Sequence, residues 1–105
     1  MADTNTLDMF KQARDLQQRM KKVQKRVEKV EITADAGGGM VRVTMSGKLE
    51  VKRVERESTL VAAGDARRIE DLVAAAVNQV VKKTQTFMAD EMNRATGGLN
   101  IPGLG

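Results

Sequence analysis

An α+β domain in the order helix, three antiparallel strands, helix is what the hydrophobic pattern predicts. Three observations carry that prediction. A heptad-like apolar seam runs through the first 30 residues, a period of two replaces it from Val30 onward, and a second long helical pattern follows Asp65. The 105 residues give room for one small domain with a modest core. Hydrophobic residues make up 41% and charged residues 30%, the balance of an ordinary folded chain rather than a disordered one.

The first helix is expected from about Leu7 to Val30. Its apolar residues Met9, Ala13, Leu16, Met20, Val23, Val27 and Val30 recur at alternating steps of four and three, which leaves one narrow edge for packing. Thr4, Asn5 and Thr6 offer N-cap oxygens, and Asp8 would place a negative charge in the first turn, where the helix dipole favours it.

From Val30 the period changes. Val30, Ile32 and Ala34 alternate with Glu31, Thr33 and Asp35; after Gly37, Gly38 and Gly39, the residues Val41, Val43 and Met45 alternate with Arg42, Thr44 and Ser46. These are two strands joined by a glycine turn. Ser46, Gly47 and Lys48 mark a second turn, and "LEVKRVERE" supplies a third strand. Its alternation, Leu49 then Val51, changes phase at Val54, so a bulge or the strand's end is expected nearby.

Residues 58–64, "STLVAAG", read as a short irregular or helical link. Asp65 then caps a second long helix that continues to about Arg94 and is ended by Gly97 and Gly98. The domain therefore spans residues 1–96, and residues 97–105, with "GLNIPGLG" and the chain's only proline, form a flexible Gly/Pro-containing tail. On the second helix Ile69, Leu72, Val73, Ala76, Val77, Val80, Val81, Thr84, Phe87 and Met88 occupy about half the circumference, wider than one sheet requires. That helix should touch its own sheet and, besides, either the first helix or a second subunit. A three-stranded sheet leaves open edges, which a homodimer would close economically.

Charge is unevenly placed. The formal net charge of +4 lies wholly in residues 1–57, which carry 13 basic and 9 acidic side chains. On the first helix Lys11, Arg14, Lys21, Lys22, Lys25 and Lys29 cluster opposite the apolar seam, with Arg19 and Arg26 flanking them. From Lys11 to Lys29 this stripe would cover about 27 Å of helix axis, enough to follow several phosphates. Ordinary solvated faces mix Glu with Lys at four-residue spacing, because such pairs attract and like charges repel. Here Lys21, Lys25 and Lys29 repeat one sign at that spacing. A polyanion, plain solvent and an anionic membrane surface are the three readings of this face. The narrow apolar edge and the lack of Trp weigh against a membrane.

The missing residue types narrow the chemistry. Without Cys or His the chain has no disulfides, thiol nucleophiles, usual zinc sites or imidazole acid–base chemistry. The glycine triplet precedes a strand rather than a helix, so it is no dinucleotide fingerprint, and no phosphate-binding loop motif occurs. Glu70 with Asp71, and Asp90 with Glu91, are sequence neighbours that point about 100° apart on a helix and build no carboxylate dyad. No enzyme, cofactor or metal is expected. With only Phe10 and Phe87 as aromatics there is no stacking platform for single strands, which leaves duplex phosphates. The chain has no apolar run near 18 residues and begins without a signal-peptide layout, so a cytoplasmic location is expected.

Taken together, the Gly37–Gly39 turn in "GGGMVRVTMSGKLEVKRVE", the spacing of Val41, Val43, Gly47 and Val54, the block "IEDLVAAAVNQ" and the ending "IPGLG" resemble the YbaB/EbfC family of bacterial nucleoid-associated proteins over nearly the full length. The resemblance implies an αβββα chain that forms a tweezer-like homodimer, its sheets joined at the centre and its helices projecting to double-stranded DNA. It also implies a nucleoid location, contacts from Lys11, Arg14, Lys21, Lys22, Lys25 and Lys29, and a role in nucleoid organisation and gene regulation. Where many members carry Ile-Asp-Pro after the third strand, this chain has Arg56, Glu57 and Ser58, which adds a positive charge. A helical adaptor working through replication or repair proteins is the alternative from another class.

Overall fold

The computed structural model describes residues 2–97, with side chains from Asn5 onward. The order is α1 (Ala2–Glu28), β1 (Glu31–Ala36), β2 (Val41–Ser46), β3 (Val51–Arg56), α2 (Ser58–Ala62) and α3 (Ala66–Ala95). The expected αβββα plan is present, with a helical rather than irregular link at residues 58–62. The expected tail at 97–105 lies, but for Gly97, outside the described residues.

One boundary differs clearly. α1 begins at Ala2, so Thr4, Asn5 and Thr6 lie inside the helix and do not cap it at Leu7. No Gly or Pro occurs before Gly37, and adding a turn to an existing helix is far easier than starting one. Helix therefore runs back past the capping residues. At the other end α1 stops at Glu28, and Lys29 stands in the turn that follows. Asp65 does cap α3, accepting a hydrogen bond from the Arg68 backbone N–H at 3.1 Å.

The sheet is antiparallel in the order β1-β2-β3. Gly37, Gly38 and Gly39 turn β1 into β2 with φ of +64°, +66° and +93°, a run that side chains with a Cβ would resist. Between β2 and β3 the register shifts: Thr44 faces Arg53 while Met45 faces Val51, which leaves Lys52 as the extra residue. Of the two expectations for the change of phase, a bulge or the strand's end, the bulge is the one present. It brings Val51 and Val54, three positions apart, onto one face of the sheet, opposite Met45 and Val43.

That face is the core face, but only part of it is covered. α3 packs across β1 and β2, burying Ile32, Ala34, Ala36, Val41, Val43 and Met45 against Ala76 and Val80, with Ile69, Leu72, Val73 and Val77 around them. Val51 and Val54 lie beyond its reach and remain 46% and 47% exposed. The opposite face is polar. There the Arg53 guanidinium bridges to Glu31 at 3.0 Å across β2, beside the Thr33 and Thr44 hydroxyls, which are 3.1 Å apart.

Arg53's hydrogen bond and positive charge hold the Glu31 carboxyl below its ordinary range. A carboxyl depressed in the folded state contributes stability above its unfolded value and loses it as pH falls through the folded value. The unfolding midpoint should therefore drop on acidification below the usual glutamate range, and Glu31→Gln should remove part of that drop. A midpoint-against-pH curve unchanged by Glu31→Gln would refute this role.

The molecule is long rather than round. Its principal extents are 75 × 26 × 16 Å and its radius of gyration is 20.4 Å, against roughly 13 Å for a compact chain of this size. The length comes from α1 and α3, whose C-terminal halves pack side by side in an arm leading away from the sheet.

Candidate nucleic-acid interface

The arm is antiparallel in sense. Val27 and Gln24 meet Met88 and Met92, Val23 and Arg26 meet Phe87 and Glu91, and Leu16 approaches Thr96. The second apolar surface of α3 is thus explained by α1, one of the two occupants its breadth allowed. The seam of α1 is buried or half-buried at Leu16, Met20, Val23, Val27 and Val30, whereas Met9 is 69% exposed where α1 runs past the end of α3.

Two devices hold α1 in place. At the base, Gly47 in the β2–β3 turn lies so close to α1 that a Cβ there would stand 1.8 Å from the Val27 carbonyl oxygen. Its backbone N–H donates to the Val30 carbonyl at 3.1 Å. Along the arm, the largely buried Glu91 carboxylate accepts from Arg26 at 2.5 Å and from Arg94 at 3.2 Å. A carboxylate in that position requires compensation, and two guanidinium groups supply it.

This divides the expected site residues. Arg26 is held by Glu91, so part of its charge is neutralised within the protein. Lys11, Arg14, Arg19, Lys21, Lys22, Lys25 and Lys29 are exposed and make no ion pair among the described residues. Arg19 lies to one side, in a shallow hollow of about 440 Å³ with Met9, Gln12, Ala13, Asp15, Leu16 and Thr96. Lys11, Arg14, Lys21, Lys22 and Lys25 lie on the side of α1 opposite its buried seam, and Lys29 stands in the turn just past the helix. Of the lysines on α3, Lys83 donates to the Thr33 carbonyl at 2.8 Å and so covers the open edge of β1, while Lys82 is exposed and without an ion pair among the described residues.

A row of unpaired ammonium and guanidinium groups on a rigid rod can neutralise a line of phosphates; it offers little means of distinguishing bases. Nothing else among the described residues competes with it as a site. No group of His, Cys, Asp or Glu there could hold a metal ion, and no described helix is long and apolar enough to cross a membrane. Sequence reasoning missed the fastening of α1 to α3 by Glu91. Its acidic signal was visible, but the partner 65 positions away was not.

Comparison with known proteins finds relatives over nearly the whole chain. The YbaB/EbfC DNA-binding family pattern matches residues 1–99. A nucleoid-associated protein of Thermoanaerobacter pseudethanolicus is 42% identical over 100 residues, covering 95% of this chain and 90% of that protein. One from Clostridium acetobutylicum is 39% identical over 104 residues, covering 99% and 93%, and one from Afipia carboxidovorans is 42% identical over 99 residues, covering 94% of each. The crystal structure of an uncharacterized protein from Helicobacter pylori shares the fold with a TM-score of 0.68 at 18% identity, over 88% of this chain and 94% of that one.

Proposed function

The chain belongs to the YbaB/EbfC DNA-binding family, and from that premise we propose a homodimeric, non-enzymatic protein of the bacterial nucleoid. It binds duplex DNA with little regard to base sequence, through phosphate contacts from α1. The observation that carries this reading is the row Lys11, Arg14, Lys21, Lys22 and Lys25 on α1, with Lys29 just past its end, all exposed and without ion pairs among the described residues. Each phosphate such a row neutralises releases condensed counterions, which makes affinity steeply dependent on salt.

Dimerisation is supported by the uncovered strand. β3 has a neighbour on one side only, and Leu49, Val51, Val54 and Val61 are all between 42% and 47% exposed. A second copy laid against that strand would cover Val51 and Val54 and present two basic arms to one duplex. Binding by the second arm then becomes intramolecular and is favoured by its high effective concentration.

Fluorescence anisotropy on unrelated duplexes across a salt series tests the reading. If a dimer engages about 6 phosphates, log affinity falls against log salt with a slope near −5, similar for every duplex. Replacing Lys21, Lys22, Lys25 and Lys29 with Gln should weaken all duplexes alike and flatten that slope. Unchanged affinity would place the contacts elsewhere, and a salt-independent response would exclude the phosphate mechanism.

A further inference from the structure

Leu7 and Phe10 are 61% and 68% exposed, and the packing seam does not account for them. At 100° per residue Leu7 falls about 170° and Phe10 about 110° round the helix from the seam's centre, unlike Met9, which lies on it. They belong to the outer face of α1, where Lys11 follows Leu7 by one turn and Arg14 follows Phe10 by one turn. The basic row thus ends, at the far tip of the arm, in two bare apolar side chains. Phe87, the other aromatic, is half-buried against the core.

We propose that Phe10, backed by Leu7, is a wedge that enters a base step of the duplex held by the basic row and bends it; this rests on the duplex-binding reading above. Among the described residues the tip is a single helix, since α3 ends at Ala95 and the Thr96 that follows borders the hollow formed by Met9, Gln12, Ala13 and Leu16. A lone helix about 10–12 Å across can approach base edges that a two-helix arm could not. Apolar side chains placed between bases unstack the step, and cations beside them hold the phosphates on either side. Lys11 and Arg14 are in that position.

Charge and area select duplex DNA as the occupant. A second copy would find only the small apolar area of two side chains to bury, far below what a stable interface needs, whereas a phosphate backbone can meet Lys11 and Arg14 on either side of it. A lipid surface calls for a broad apolar face, whereas here two apolar residues are followed on the same face of α1 by five basic ones.

The chain has neither Trp nor Tyr, so Phe10→Trp makes the wedge its own reporter. On titration with a duplex at low salt, the indole emission should be strongly quenched as anisotropy reports binding. With the unsubstituted protein, energy transfer between labels on the duplex ends should report a bend of at least about 20°. Phe10→Ala should abolish the bend while leaving the salt slope unchanged. Binding without quenching, or a bend that survives Phe10→Ala, would overturn the wedge and leave duplex binding standing. An absence of binding by any variant would overturn both. Quenching or shifting of the emission by anionic vesicles but not by DNA, or by protein concentration alone, would overturn the wedge in favour of a membrane or of self-association.

Discussion

Gly47→Ala is expected to destabilise the protein by about 3 kcal/mol or more, an overpacking cost at the top of the usual range. For a domain of this size that lowers the thermal midpoint by roughly 12 °C or more. The reason is not conformational freedom. The added methyl would stand 1.8 Å from the Val27 carbonyl oxygen and 2.5 Å from its carbon, and both are backbone atoms that no rotamer change can move aside. The turn must lift off α1, stretching the 3.1 Å hydrogen bond from Gly47 N–H to the Val30 carbonyl. Lys48→Ala is the control in the same turn. Its ion pair with Glu28 is exposed and 4.0 Å long, so its effect should stay within about 0.5 kcal/mol. A Gly47→Ala midpoint equal to that of Lys48→Ala would refute the close-approach account.

Val54→Lys should convert the proposed dimer into monomers at micromolar concentration and weaken duplex binding by about a hundredfold or more, through loss of the second arm. Val54 is the residue of β3 aligned with the fully buried Val43, and it is 47% exposed only because α3 stops short of it. In a two-fold interface the substitution acts twice, placing a charge in each copy where an apolar surface should meet its mate. The choice of lysine separates two causes. It adds positive charge, so reduced affinity for DNA cannot come from weaker electrostatic attraction. Sedimentation velocity reads the assembly directly; a dimer that persists after Val54→Lys would remove β3 from the interface.

Much of the fold was legible because local periodicity encodes it. The alternation of Val41, Val43 and Met45 marked β2, and the broken phase at Val54 pointed to a bulge or the strand's end, of which the register shows the bulge, at Lys52. The start of α1 was misread because Thr4, Asn5 and Thr6 are good caps but equally admissible inside a helix that nothing interrupts. Within the candidate site, the sign and the outward position of the basic row could be read from spacing alone. That the flanking Arg26 is tied to Glu91 could not, because the two are distant in sequence.

The sequence by itself determined the element order, the opposition of apolar seam and basic row on α1, and the absence of residues for thiol or imidazole chemistry. Each depends on residue type and on spacing within one element, which helix and strand geometry convert directly into faces. Only the tertiary structure decided which apolar residues stay uncovered. Val51 and Val43 obey the same strand pattern, and Met9 and Val23 the same helix pattern, but one of each pair is exposed because α3 crosses two strands rather than three and ends before α1 does. Tertiary structure also gave Gly47 its role, since the approach of a turn to a helix end is a distance between elements that neither element records.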